Sequence, residues 1–193
     1  MRGISLLLAS GGIILAGAAS SQDLQGDAAS GRKLAGQCRT CHGLEGYARI
    51  PVAPHIGGES AEYVRGQLTA FRDGERRNEM MSVVAAALTD QQIADLAAWY
   101  SSQDATATLA ADPADAPQEC VSCHGADGMA VTDGAPNLAG ENSTYLLAQL
   151  KAFQWGDRQS EVMQDIVSGQ DDAQLRAAAE WYSAIALEIA KPQ

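Results

Sequence analysis

Two pentapeptides carry the densest chemistry in the chain: Cys38-Arg39-Thr40-Cys41-His42 and Cys120-Val121-Ser122-Cys123-His124. Each is a Cys-x-x-Cys-His run, the attachment signature of c-type haem. Two thiols one helical turn apart can form thioethers to the two vinyl groups of one porphyrin, and the histidine that follows then lies under the iron. A redox dithiol or half a zinc site also uses Cys-x-x-Cys. A dithiol centre normally accompanies a βαβ pattern, which this sequence lacks. Zinc would require ligands to converge from both runs, although each run has its own complete set. The chemistry points to two covalently bound haem c groups, attached through Cys38, Cys41, Cys120 and Cys123, with His42 and His124 as axial ligands. These are all four cysteines of the 193-residue chain, so none remains for a structural disulfide.

The second axial ligand follows from an internal repeat. Sliding the chain by 82 residues superposes the two pentapeptides and, without a gap, Pro54 on Pro136, Gly58-Glu59 on Gly140-Glu141 and Tyr63 on Tyr145. Gln67-Leu68, Phe71, Gly74 and Arg76 also meet their like, as do Met81 and Met163, and Trp99-Tyr100 and Trp181-Tyr182. Such self-similarity marks duplicated structural units. Met80 and Met81 are adjacent, but the counterpart of Met80 is Val162, whereas Met81 meets Met163. The His-to-Met interval is then 39 residues in both halves. Met81 and Met163 are the expected ligands, with Met80 as the alternative in the first half and otherwise a packing residue beside the haem. Thioether ligation raises the potential and suits electron transfer. An iron held by both His and Met has no open position for a substrate. Met129 lies too close after His124 to cross the ring and reads as packing, and His55, matched by Asn137, reads as a surface loop residue.

The elements that must position these residues are helical. Apolar stripes at Ile93, Leu96, Ala97, Tyr100 and at Leu175, Ala178, Ala179, Tyr182 follow helix starts at Thr89 with Gln92 and Asp171 with Gln174. Val64, Leu68, Phe71 and their counterparts Leu146, Leu150, Phe153 predict a second helix per repeat, and no strand alternation is evident. Ser101–Pro117, rich in Ala, Asp, Ser, Thr and Pro, reads as a linker. The expected organisation is all-α: residues 1–20 a signal peptide, 21–101 an N-terminal haem domain, 102–116 the linker and 117–193 a C-terminal haem domain. Domains of about 80 residues have marginal cores of their own, so each haem is expected to be structural as well as functional.

Net charge is −11, unsuited to binding nucleic acid. It is lopsided: residues 22–105 hold 8 Lys/Arg against 11 Asp/Glu, and residues 106–193 hold 4 against 13. Arg2, the apolar run Ile4–Ala16 and the small residues through Ser20 read as a secretory signal cleaved near Ala18–Ser20. A retained membrane anchor is the alternative, against which the run is short for a span.

These residues together resemble the class I cytochromes c, and specifically the dihaem cytochrome c4 family, over nearly all of the mature chain. The stretches that carry the likeness are CRTCHGLEG, APHIGGESAEYVRGQLTAFRDGERRNEMM, LTDQQIADLAAWY, CVSCHGADG and APNLAGENSTYLLAQL. The resemblance implies two haem domains in a pseudo-twofold relation, passing electrons in the periplasm to a terminal oxidase or reductase. The donor would be a dehydrogenase or a cytochrome bc1-type complex. It also implies that the carbonyls of Pro54 and Pro136 accept a hydrogen bond from the ring N–H of the axial histidines; by themselves these would read as loop prolines. Trp99, Tyr100, Trp181 and Tyr182 are expected to pack the last helix against the first. One departure from the family concerns the second repeat, where Pro113 stands at the place of Gly31 and Pro117 follows. Its first helix is expected to be short or missing and its haem more exposed. The leading functional reading is a free periplasmic electron carrier. The alternatives are an electron-transfer subunit of a larger dehydrogenase and a haem enzyme such as a peroxidase.

Overall fold

Helices begin where side chains can satisfy their first N–H groups. In the computed structural model, which describes residues 24–190, Asp27 accepts from Ala29 and Ser30 and opens α1 (Ala28–Leu34). The expected signal peptide at 1–20 lies outside the described residues. A 3₁₀ turn (Ala35–Gln37) leads into α2 (Arg39–His42), the last turn of the first pentapeptide. Ser60 caps α3 (Ala61–Asp73), which Gly74 ends in the left-handed region. After α4 (Met81–Ala86), the predicted Thr89/Gln92 capping box starts α5 (Asp90–Ser101). Strand β1 (Asp104–Thr108) follows.

The second half repeats the order: α6 (Gln118–His124), α7 (Ser143–Trp155), α8 (Glu161–Ser168), α9 (Asp172–Ser183) and strand β2 (Ala186–Ala190). Helices α3 and α7, α5 and α9, and strands β1 and β2 each stand 82 residues apart. The Asp171/Gln174 box opens α9 as predicted.

The helical expectation holds, with one addition. Within the stretch read as a linker, β1 pairs antiparallel with β2, Thr106 opposite Glu188. Those two residues are repeat counterparts, so the ribbon straddles a local pseudo-twofold axis. Each strand is the tail of its own domain rather than a passive tether. Alternation was present but weak: Ala105 and Ala107 face inward with Leu187 and Ile189, while the residues between are exposed. Alanine in one strand supplied too little apolar contrast for the pattern to register.

Two cores result. In the first domain Ile93, Leu96, Ala97, Trp99 and Tyr100 of α5 pack with Ala35, Val64 and Leu88. In the second, Leu146, Ala179, Tyr182 and Ile185 form one cluster and Phe153, Val167 and Leu175 another. Helix α1 crosses α5 so closely that a Cβ on Gly31 would lie 1.9 Å from the Asp95 carbonyl oxygen. Only glycine permits that approach. In the second domain a 3₁₀ turn (Pro113–Asp115) stands where α1 would be. Ala94 and Asp95, buried on α5, have the exposed counterparts Arg176 and Ala177 on α9. The shortened lead-in expected from Pro113 and Pro117 is therefore present. The aromatic pairs are core as expected, but in the second domain Trp181 is only half-buried, having no first helix to cover it.

Candidate functional site

Each pentapeptide is one helical turn. His42 N–H donates to the Cys38 carbonyl at 3.0 Å, so Cys38, Cys41 and His42 face one side; α6 carries Cys120, Cys123 and His124 likewise. The turn must then stop sharply. Gly43 and Gly125 follow at φ 71° and 70°, and a Cβ on either would lie 2.4 Å from a carbonyl oxygen, that of Tyr47 or Met129. The chain folds back with Arg49 N–H on the Cys41 carbonyl and Val131 N–H on the Cys123 carbonyl.

The returning loop fixes the histidines. His42 Nδ1 lies 2.9 Å from the Pro54 carbonyl oxygen, and His124 Nδ1 lies 2.9 Å from that of Pro136. Since a carbonyl only accepts, each Nδ1 carries the proton and Nε2 keeps a free lone pair. Both rings are buried, and burial holds both below the usual imidazole range. A neutral imidazole with one nitrogen anchored and one free is a metal ligand ready to bind. Cys38, Cys41, Cys120 and Cys123 are each half-buried. Burial pushes the Cys38 thiol up, and that of Cys120 up to about 11.

Both expected methionines stand in the first turn of a short helix, held by a polar cap. Asn78 Oδ1 accepts from Met80 and Met81 N–H, and Ser160 Oγ accepts from Met163 N–H. Met81 is half-buried and Met163 packs against the Phe153, Val167, Leu175 cluster. Met80, by contrast, is 63 % exposed. Met129 packs on the second core as expected.

His55 corrects the sequence reading. It is half-buried between the domains: Ala48 N–H donates to its Nδ1 at 2.9 Å, and its Nε2 donates to the Gly140 carbonyl at 3.0 Å. Asn137 does the same in reverse, accepting from Ala130 N–H and donating to the Gly58 carbonyl at 3.0 Å. A histidine with one bond on each ring nitrogen can replace an asparagine with one on each amide atom, which the residue types alone did not reveal.

Further cross-domain groups surround this pair. Arg76 bonds Gln67 of its own domain and Gln149 and Tyr145 of the other; Arg158 bonds Gln149 and then Tyr63 and Gln67. Each guanidinium also lies over its own domain's phenylalanine, Phe71 or Phe153. Among the described residues these half-buried cations have only neutral side-chain partners, a costly arrangement without an anion. The two carboxylates of a haem would suit them. Glu59 and Glu141, each 4 % exposed, also lie at the interface. Gly58-Glu59 and Gly140-Glu141 matched across the repeat, which was the only sequence signal for them.

A cytochrome c4 of Pseudomonas aeruginosa is 31 % identical over 198 residues, covering 92 % of this chain and 95 % of its own. The chain belongs to the cytochrome c4 family. The thiosulfate dehydrogenase electron acceptor of Stutzerimonas stutzeri is 33 % identical over 190 residues, 83 % of this chain and 88 % of that protein. The reduced recombinant cytochrome c4 structure from Pseudomonas stutzeri superposes with a TM-score of 0.73 at 26 % identity, over 83 % of this chain and all of that one. No family model matches the chain. As a cytochrome c4 relative it carries two covalently bound haems at Cys38/Cys41 and Cys120/Cys123 and is an electron-transfer protein rather than an enzyme. Its partners are redox proteins. No helix among the described residues is long and apolar enough to cross a membrane.

Proposed function

We propose that the protein is a periplasmic carrier that takes and gives single electrons through two irons, one held by His42 and Met81, the other by His124 and Met163. The observation that carries this reading is the duplicated histidine anchor, Nδ1 committed to a proline carbonyl with Nε2 left for iron. When bound, the haem supplies reversible one-electron chemistry with iron closed to substrate. The chain supplies the rest. Pro54 and Pro136 orient the imidazoles and raise their basicity. The Asn78 and Ser160 caps fix the first turn that carries each methionine, and the cross-domain bonds of His55 and Asn137 hold the two sites in one fixed relation. A terminal oxidase or reductase is the proposed acceptor, and a dehydrogenase or bc1-type complex the proposed donor. Export by the segment at 1–20 belongs to the same proposal.

A second reading has its own support in the thiosulfate dehydrogenase electron acceptor relative: this chain would accept electrons within a dehydrogenase assembly. Native gel electrophoresis of a gentle periplasmic extract, stained for haem, separates the two. A small species with two haems is the expected result. Migration in a larger complex overturns the free-carrier reading and identifies the companion chain.

A further inference from the structure

The carbonyl that anchors each axial histidine belongs to a peptide group whose other end meets a carboxyl group of the opposite domain. His124 Nδ1 donates to the Pro136 oxygen at 2.9 Å. The N–H of that same peptide, on Asn137, donates to both carboxyl oxygens of Glu59 at 3.1 Å. In the first domain His42 Nδ1 donates to the Pro54 oxygen, and the backbone of His55, at the other end of that peptide, interacts with the Glu141 carboxyl and opposes its upward shift. One peptide dipole thus lies between each ring and one buried acid across the interface. We propose that Glu59 and Glu141 are redox-linked proton sites, each tuning the haem of the opposite domain through that shared peptide group. This rests on the reading of His42 and His124 as axial ligands.

The physical basis is polarisation along a hydrogen-bond chain. A negative carboxylate draws the peptide N–H, makes its carbonyl oxygen more negative and pulls the imidazole proton toward it. The ring then donates more strongly and favours oxidised iron. A protonated carboxyl relaxes the chain and favours reduced iron. When one electron leaves an iron for the partner redox protein, the linked carboxyl releases one proton to solvent; when the electron returns, it binds one again.

Three observations support a proton on these groups. Both carboxyls are buried, and Glu141 Oε2 has no hydrogen-bond partner among the described residues, which a charged oxygen tolerates poorly. Burial raises Glu59 to about 8, and burial with the nearby Glu59 raises Glu141 to about 9. Glu141 also lines a cleft of about 360 Å³ between the domains with Tyr47, Ala48, His55 and Asn142, which gives its proton a route to water. The other titratable or charged groups facing the pair are Tyr47, Arg49 and His55 from the first domain's loop, which all line the cleft with Glu141, then Tyr63 on α3 and Tyr145 on α7, with Arg76 and Arg158 behind the tyrosines.

The test is the potential of each haem against pH from 6 to 10, in the holoprotein and in Glu59→Gln and Glu141→Gln, which keep shape and an acceptor oxygen. Individual potentials come from haem methyl resonances assigned to each domain by through-space contacts with the His42 or His124 loop. About a tenfold difference in carboxyl acidity between oxidation states is expected, equivalent to a fall of about 59 mV in a one-electron couple. Glu141→Gln must flatten the first haem's profile alone, and Glu59→Gln the second's alone. Redox-difference infrared spectra must lose one protonated-carboxyl band in each variant. Unchanged profiles, equal changes at both haems or unchanged infrared bands overturn the proposal. The ligand reading is checked by His42→Gly, which must abolish the low-spin signature of one haem only. If it does, flat profiles refute the relay alone; if it does not, the axial assignment fails and the relay with it.

Discussion

His55 and Asn137 are repeat counterparts that exchange hydrogen bonds across the domain boundary, His55 with the Gly140 carbonyl and Asn137 with the Gly58 carbonyl, both at 3.0 Å. Each also accepts an N–H from its own loop at 2.9 Å. The two loops therefore hold each other in place, and each holds the proline that anchors an axial histidine.

This exchange makes His55 replaceable by its own counterpart. His55→Asn is expected to keep stability near that of the native protein, whereas His55→Ala forfeits two bonds worth about 0.5–1.5 kcal/mol each. Burial lowers the His55 pKa by penalising the charged ring, and protonating Nδ1 would also break the bond it accepts from Ala48. Its contribution is thus full above the unfolded value of about 6.5 and is lost as pH falls below it. Urea melts at pH 5 and pH 7.5 check this: a native-to-alanine difference that does not shrink at pH 5 would contradict it.

Met81 and Met80 separate on exposure, half-buried against 63 % exposed. Met81→Ala is expected to open one iron, so that the reduced protein binds carbon monoxide at one haem of two and the oxidised protein loses half of its sulfur-to-iron charge-transfer absorption. Met80→Ala leaves both properties unchanged. Carbon monoxide binding in Met80→Ala, with none in Met81→Ala, would reverse the assignment.

The haem chemistry and the helices were legible because their signals are local. Cys-x-x-Cys-His fits within one turn, Thr89 and Asp171 cap their own helices, and Pro113 with Pro117 forbid a long helix wherever they fall. Repeat alignment carried Met81 over Met80 and marked Glu59 and Glu141 without saying why. The interface was not legible, because its bonds join residues far apart in sequence and several end on backbone atoms, which have no sequence signature. His55 was misread for that reason: its partners are the Ala48 N–H and the Gly140 carbonyl. Strand β1 was hidden because its inward residues, Ala105 and Ala107, give little apolar contrast and its partner β2 lies 82 residues further on.

Glu59 and Glu141 give stability a pH slope opposite to that of ordinary surface carboxylates. Their folded values, about 8 and about 9, stand above the ordinary 4.5. The unfolded chain releases these protons near 4.5 while the fold retains them, so folding takes protons up. Stability should therefore fall as pH climbs from about 4.5 toward 9, by up to roughly 1.4 kcal/mol per pH unit for each proton held. Urea melts between pH 7 and 9.5 should show this decline, and Glu59→Gln/Glu141→Gln together should remove most of it. Parallel slopes in the two proteins would place the decline elsewhere.

The two haems should differ in their access to solvent, because the domains differ in what covers their last helix. In the first, α1 seals the Ala94–Asp95 face of α5 and Gly31 brings the two backbones into contact. In the second, a single 3₁₀ turn replaces that helix, Arg176 and Ala177 are exposed, and Pro117 lies immediately before the helix that bears Cys120. A neutral paramagnetic relaxation agent should accordingly broaden the haem methyl signals of the second domain more than those of the first. Neutrality matters, since residues 106–193 carry 13 Asp/Glu against 4 Lys/Arg and would repel an anionic probe from that half. Equal broadening would mean that the loops around Met129 and Val131 cover the second haem as fully as α1 covers the first. Deleting α1 would then leave the first haem's exposure unchanged, whereas the asymmetry described here requires that exposure to rise to the level of the second.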